Sequence, residues 1–410
     1  MNRIENRPSF CLLNGKLPQE IFSVLPTPCY IIEEAGLQKN GEILSSIIRN
    51  TGCKILLAQK AFSNYDFYPL LSDYLSGTEA SGLFEARLGA EKMPKKEVHV
   101  FCAAYREKEF DELLTYADHI VFNSPGQLKR FGPKAKEIGK SIGLRINPQC
   151  STQEGHAIYD PCAPTSRLGT TREIWDMQMT EELVELLDGL HFHTLCEQDA
   201  DALQLTLHAV EEQFADILPR MKWLNMGGGH HITREGYDIP LLEKLIIGVQ
   251  NQWNVEVYLE PGEAVALNAG YLAARVLDIV QNHDTKIAIL DVSAACHMPD
   301  VIEMPYTPPL YGEISEKEGA YSYSLAGPTC LAGDVIGRYC FEQPLQIGDM
   351  ILFGDMAIYS TCKNNTFNGM SLPNIWKRGT DGKLEQLTDF GYQDFSMRLG
   401  RRKSDISKKN

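Results

Sequence analysis

No stretch of this sequence approaches the roughly 18 consecutive apolar residues of a membrane-spanning helix; runs such as Leu245-Ile246-Ile247 stay short. Positive charge is scarce. Lys and Arg number 39 against 54 Asp and Glu, a net charge of −15. Such a chain repels phosphate backbones and anionic lipid, so neither nucleic acid nor a membrane is expected as a partner, and small cationic ligands suit it better. CxxC pairs are absent. The eleven cysteines are odd in number and scattered from Cys11 to Cys362, which argues against zinc ribbons and a disulfide framework and for reduced thiols. Met1–Arg7 lacks the apolar core of a secretory leader, so a cytoplasmic protein is expected. There is no GxGxxG fingerprint, no solenoid-period repeat and no low-complexity tract.

What is present is a rhythm. Eight short apolar or β-branched runs occur at 54–59, 77–80, 97–101, 119–122, 142–146, 189–193, 222–226 and 255–259. Most are separated by stretches of helical periodicity, at 107–116, 124–136, 172–187, 203–218 and 241–252. Strands alternating with helices predict parallel βαβ units, and eight of them match a (β/α)8 TIM barrel. An open doubly wound sheet is the competing arrangement; it has fewer strands and often a glycine-rich turn after the first. Beyond about residue 270 the helices fade, and strand-like runs at 286–292, 322–326, 335–339 and 350–353 predict an all-β domain. The run Pro26–Ile32 reads as a further strand. The expected division is an N-terminal segment 1–30 that lends a strand to the β domain, a barrel 31–270, a β domain 271–385 and a polar tail 386–410, with 401–410 disordered.

Barrel active sites lie at the C-terminal ends of the strands. The first strand end offers Lys60, the fifth Arg145 and Asn147, the sixth His193, the seventh Gly227-Gly228-Gly229 and the eighth Glu260. A lysine drawn into a desolvated barrel mouth has a freed lone pair for imine chemistry; a solvated lysine past a strand end is the plain alternative. Three glycines let backbone N–H groups approach an anion, or form a flexible turn. Glu260 suits a ring nitrogen, or pairs with a neighbouring base. His191 and His193 share one face of their strand, and His193 either lies over a flat ligand ring or is a core histidine satisfied by backbone. Adjacent His230 and His231 rarely share an ion, so no metal is expected.

In this order, these features resemble the pyridoxal-phosphate decarboxylases of the alanine-racemase-type fold, which include the ornithine, diaminopimelate and carboxynorspermidine enzymes. Gly327-Pro328-Thr329-Cys330 is similar to their GPxC motif and Asp355–Tyr359 to their late aromatic motif. The resemblance spans roughly residues 25–375. The runs LAQKAFS, ASGLFEARLGA, TSRLG, GLHFHTLCEQ, NMGGGHHIT, YLEPGEA and GPTCLAGDVIG look most like the carboxynorspermidine/carboxyspermidine decarboxylase branch. The ornithine and diaminopimelate enzymes typically have arginine where Glu263 stands and an acid where Leu331 stands; both departures fit a longer, triamine-like substrate.

The resemblance implies a set of roles. Lys60 holds pyridoxal 5′-phosphate covalently, Glu260 keeps its ring nitrogen protonated, His193 stacks on the ring, and Gly227, Gly228, Gly229 and Tyr359 hold the phosphate. Arg167 stands near the cofactor. Cys330, supplied by the partner subunit of a homodimer, protonates the α-carbon after CO2 loss. Glu263 and Asp300 are expected to meet ammonium groups of the substrate. Decarboxylases of the ornithine or diaminopimelate type and an amino-acid racemase are the alternatives; a racemase needs a second base, against which GPTC and Leu331 argue.

Overall fold

The structure is a computed structural model that describes residues 16–153 and 157–400. Residues Leu37–Val265 form one compact unit, and the chain before and after them forms a second.

The first unit is a closed barrel of eight strands, β2 (Lys54–Ala58), β3 (Gly77–Ala80), β4 (Glu97–Phe101), β5 (His119–Phe122), β6 (Ser141–Arg145), β7 (Gly189–His191), β8 (Trp223–Asn225) and β9 (Glu256–Leu259). Each pairs in parallel with its neighbours, and β2 closes on β9. These are the eight runs the rhythm marks. Inside, Leu56, Val121, Trp223 and Tyr258 pack together. Gly143, Gly189 and Trp223 sit side by side on β6, β7 and β8. A Cβ on either glycine would stand within 2.3 Å of the indole, so the small residues make room for the large one.

The helices follow their caps and faces. Glu107–Tyr116 opens with Glu107 and Glu109 at the positive end of the helix dipole and buries Phe110, Leu113 and Leu114, spaced i, i+3, i+4. Ser124 caps Pro125–Glu137, and Asp238 caps Ile239–Trp253 by accepting from the Leu241 N–H at 2.9 Å. One expected element differs: 172–187 is not a single helix but Arg172–Gln178 followed by Glu181–Val184. Thr180 turns extended between them and starts a new helix, with Glu181 and Glu182 in its first turn.

The second unit is a mixed sheet. It contains β1 (Cys29–Glu33), β10 (Gly270–Asn282), β11 (Thr285–Leu290), β12 (Tyr321–Ala326), β13 (Val335–Phe341), β14 (Met350–Gly354), β15 (Asn374–Arg378) and β16 (Leu384–Gln386). The order is β13-β12-β11-β10-β1-β15-β16, with β14 also on β10. The 13-residue β10 pairs β1 and β14 with its first half and β11 with its second, shifting register between Val276 and Asp278. Phe22, Leu25, Cys29, Ile31, Ala273, Tyr311 and Leu352 form its core. Within the segment read as a polar tail, Tyr392–Met397 is helical, while 401–410 and Cys11 lie outside the described residues. Every described cysteine is a free thiol, and no described helix is long and apolar enough to cross a membrane.

Candidate active site

A cavity of about 260 Å³ opens at the C-terminal ends of the barrel strands, and Lys60, Arg167, His193 and Glu260 all line it. Glu79, Phe101, Arg145 and His191 complete much of the wall. Lys60 is exposed rather than desolvated, so burial does not single it out. The groups around it do.

Glu260 is buried, and both its oxygens are engaged. Oε1 accepts from Asn225 Nδ2 at 2.6 Å, and Oε2 lies 3.0 Å from His191 Nε2. Burial pushes this carboxyl up, but the His191 ring, its hydrogen bond and the Asn225 donor outweigh that and hold it below the usual range. Burial also holds His191 below its ordinary value. Its Nδ1 is buried with no partner among the described residues, so a second ring proton would be a buried, unpaired donor. With Glu260 ionised, His191 Nε2 is the donor in this pair. Glu79 goes the other way: burial, then the charge of Glu260, raise its carboxyl well above the usual range against the pull of Lys60 and Arg145. The same cavity thus pushes two neighbouring carboxyls in opposite directions.

His193 Nδ1 accepts from the Gly228 N–H at 3.0 Å, and its carbonyl accepts from Arg145 Nη2 at 3.0 Å. Burial, then the charges of Lys60 and Arg145, keep the ring well below its usual value, so it presents a neutral aromatic face. Arg145 lies 4.6 Å from the Phe101 ring centroid; burial lowers it to about 10, and it remains a cation at neutral pH.

The glycine triplet is fixed by close backbone packing. A Cβ on Gly227, Gly228 or Gly229 would stand 2.4, 2.1 or 1.9 Å from the carbonyl oxygens of Phe192, Glu260 or Leu195, and Gly227 and Gly229 have φ of +68° and +87°. Two of the three amides are already used: Gly227 N–H donates to Asn225 Oδ1 at 2.9 Å and Gly228 N–H to His193. Gly229 N–H has no partner among the described residues.

Above the cavity, the loops after β7 and β8 join through a parallel bridge between Gln198 and His230. The two histidines diverge: His230 Nδ1 meets the Tyr237 hydroxyl at 3.0 Å, and His231 Nε2 lies 3.0 Å from Glu263 Oε2 with Glu197 beside them. Burial pushes His231 down, but Glu263 and Glu197 more than offset it and its pKa is raised.

Tyr359, Cys330 and Asp300 belong to the sheet unit. Tyr359 has a left-handed backbone with φ of +53°, Cys330 is exposed after β12, and Asp300 opens the short turn Asp300–Glu303, paired with Lys363. Sequence reasoning passed over Glu79, although the strand-end rule applied to β3 points straight at it. It named His191 without a role and omitted Asn225, whose signal is its place on a strand end two residues before the triplet.

An amine, an ionised carboxylate, a flat neutral ring face and an open amide at a glycine cradle form a set that fits pyridoxal phosphate. The family model described as pyridoxal-dependent decarboxylase, C-terminal sheet domain, matches residues 29–357. The chain belongs to this decarboxylase family. Its cofactor is pyridoxal phosphate, and its reaction class is decarboxylation. A carboxynorspermidine/carboxyspermidine decarboxylase from Campylobacter jejuni is 42% identical over 92% of this chain and 99% of its own. A carboxyaminopropylagmatine decarboxylase from Synechocystis is 39% identical over 92% and 96%. Among solved structures, C. jejuni carboxynorspermidine decarboxylase complexed with norspermidine aligns at a TM-score of 0.84 with 42% identity, covering 91% of this chain and all of that one.

Proposed function

We propose that this decarboxylase removes the carboxylate of carboxynorspermidine or carboxyspermidine, releasing CO2 and the corresponding triamine. The observation that carries the reading is the 42% identity with the C. jejuni enzyme across almost the whole of both chains. The acid at Glu263, held at the barrel mouth by His231, supports it as a partner for a substrate ammonium group. Asp300 is assigned to a second ammonium, exchanging or sharing Lys363.

Bound in the cavity, the cofactor supplies an electron-poor ring that takes up the pair left when CO2 departs. Lys60 would hold it. Glu260, kept anionic by His191 and Asn225, would keep a proton on the cofactor's ring nitrogen. His193 offers its face to the ring. The Gly229 amide, with Tyr359, takes the phosphate, and Arg167 and Arg145 add positive charge nearby. The Cys330 Sγ–H bond breaks and its proton forms the new C–H bond at the α-carbon, which lost its bond to CO2; water then restores the thiol. Cys330 comes from a second copy of the chain, so the working form is a homodimer, and its free thiols suit the reducing cytoplasm.

Steady-state kinetics on carboxynorspermidine, carboxyspermidine, carboxyaminopropylagmatine, ornithine and meso-diaminopimelate test the substrate. The highest kcat/KM is expected on one of the first two. One methylene is worth about 1–3 kcal/mol, so both are accepted. A clear preference for the guanidino compound would move the chain to the Synechocystis type, and preference for a short diamino acid would overturn the assignment. Mixing Lys60→Ala with Cys330→Ala subunits should restore part of the activity; no recovery after confirmed subunit exchange would refute the shared site.

A further inference from the structure

Asp334 lies four residues beyond Cys330 and is buried, yet among the described residues no Lys or Arg pairs with it. Its carboxylate is met by neutral donors instead. Oδ1 accepts from Ser293 Oγ at 2.9 Å and from the Ala295 N–H at 3.3 Å; Oδ2 accepts from Thr329 Oγ1 at 2.6 Å and from the Thr329 N–H at 3.3 Å. The backbone of the same residue closes the loop. Its carbonyl accepts from the Gly327 N–H at 2.9 Å, and its N–H donates to the Leu331 carbonyl at 2.9 Å. Gly327 packs so tightly on the carboxylate that a Cβ there would stand 2.2 Å from Oδ2. One residue thus pins the loop at 327, 329 and 331, and through Ser293, which caps the helix Ala294–His297, ties it to a second element. Between the pinned positions, the one side chain with a transferable proton that is left exposed is Cys330.

We propose that Asp334 is a positioning residue: it holds the 327–331 loop so that the Cys330 thiol is presented at a fixed place for proton delivery. The inference rests on the role given to Cys330 above. A buried carboxylate that takes four neutral donors and no cation is a poor stabilising pair, but it organises donors in space, because each bond fixes one group of the loop. Proton transfer demands that fixity, since displacement of a reacting group by about 1 Å can cost on the order of 100-fold. Asp334→Asn keeps the volume and turns one acceptor into an N–H2 group that faces donors. Thr329→Val removes the hydroxyl at nearly constant shape, and Thr329→Ser retains it.

The holoenzyme of each variant is assayed with the substrate that gives the wild type its highest kcat/KM. Asp334→Asn should lower kcat by about 10- to 100-fold, with KM within twofold and cofactor content unchanged. Thr329→Val should lower kcat severalfold, and Thr329→Ser should stay within twofold of wild type. In a Cys330→Ala background, Asp334→Asn should change kcat less than twofold, because the group it positions is gone. A second readout needs no turnover: the rate at which iodoacetamide alkylates Cys330, followed by mass spectrometry of its peptide, should shift at least threefold in Asp334→Asn and Thr329→Val but not in Thr329→Ser. Equal losses with and without Cys330, losses in KM or cofactor content, or unchanged kcat and alkylation in both disruptive variants would overturn the proposal. If Cys330→Ala alone leaves kcat unaltered, the Cys330 assignment itself fails, an outcome separate from the others.

Discussion

The two ends of the barrel are built from the same residue types and behave in opposite ways. At the N-terminal end, Lys54 Nζ lies 2.5 Å from Glu97 and 3.1 Å from Glu256, and the Tyr258 hydroxyl donates to Glu256 at 2.7 Å. His99 Nε2 lies 3.0 Å from Glu97 and stacks on His119 with ring centroids 3.8 Å apart. Every carboxylate there is answered by groups of the chain. At the C-terminal end, Glu260 is bonded by His191 and Asn225 and, among the described residues, by no Lys or Arg; burial and Glu260 raise the Glu79 carboxyl well above its usual range, and the Lys60 amine is exposed beside a cavity. The lower end is electrically finished; the upper end is not. Unfinished charge, rather than the presence of His and Glu, separates the working end from the supporting one.

The comparison breaks if substitutions at the two ends act alike. Lys60→Ala should abolish decarboxylation and covalent attachment of the cofactor, checked by mass after borohydride reduction; label on another lysine would show the wrong strand end was chosen. Glu260→Gln should lower kcat by about 100- to 1000-fold, the scale for losing one preorganised electrostatic partner, with the fold intact by circular dichroism. Glu263→Gln should lower kcat/KM by about 10- to 150-fold, from the roughly 1.5–3 kcal/mol of a hydrogen bond to a charge, with a normal cofactor spectrum. Glu263→Arg should cost more, by repelling a cationic substrate. If Glu263→Gln instead loses cofactor or stability, this acid only buttresses its loop.

At the lower end, Glu97→Gln should leave kcat within twofold and lower Tm by a few degrees, since a half-exposed pair contributes about 1 kcal/mol or less. Acid should expose the same network. Burial opposes the Glu97 carboxylate, but its bonds to His99 and Lys54 take it down to about 2, so its stabilisation is present above about pH 4.5 and is lost as pH falls toward 2. Burial and neighbouring His99 lower His119 to about 3; the unfolded chain therefore takes up its proton below about pH 6.5 while the folded chain resists, and stability falls between those values. Thermal melts should show a lower Tm at pH 4 than at pH 7, with His119→Gln flattening part of the difference.

The barrel was legible because each of its strands is a short run bounded by helices whose apolar faces repeat with the right period. The sheet was less so. The first half of β10 is mostly buried and its second half mostly exposed, so it has no single period, and β15 and β16 are short strands with mixed burial. Thr180 broke a continuous helical pattern by turning its backbone extended in the middle of it. At the site, the cavity-lining Lys60, His193 and Glu260 stood out at strand ends, whereas the bonds that Asn225 and His191 make to Glu260 became visible only through distance. The hydrogen bonds of the Gly227 and Gly228 amides run to side chains, one of them just past another strand, and no spacing rule reports them.

β1, from the start of the chain, lies between β10 and β15, from its later part, with the whole barrel sequence between them. The barrel is thus a contiguous insertion, and the sheet is split. On a ribosome the barrel is fully synthesised while β1 still waits for every other strand of its sheet. For that interval Cys29–Glu33, all five residues of which are buried in the finished fold, is an unpaired apolar edge. A circular permutant opened between the two units, with the old termini joined, would make the sheet contiguous and shorten that exposure, which refolding yield against wild type would register.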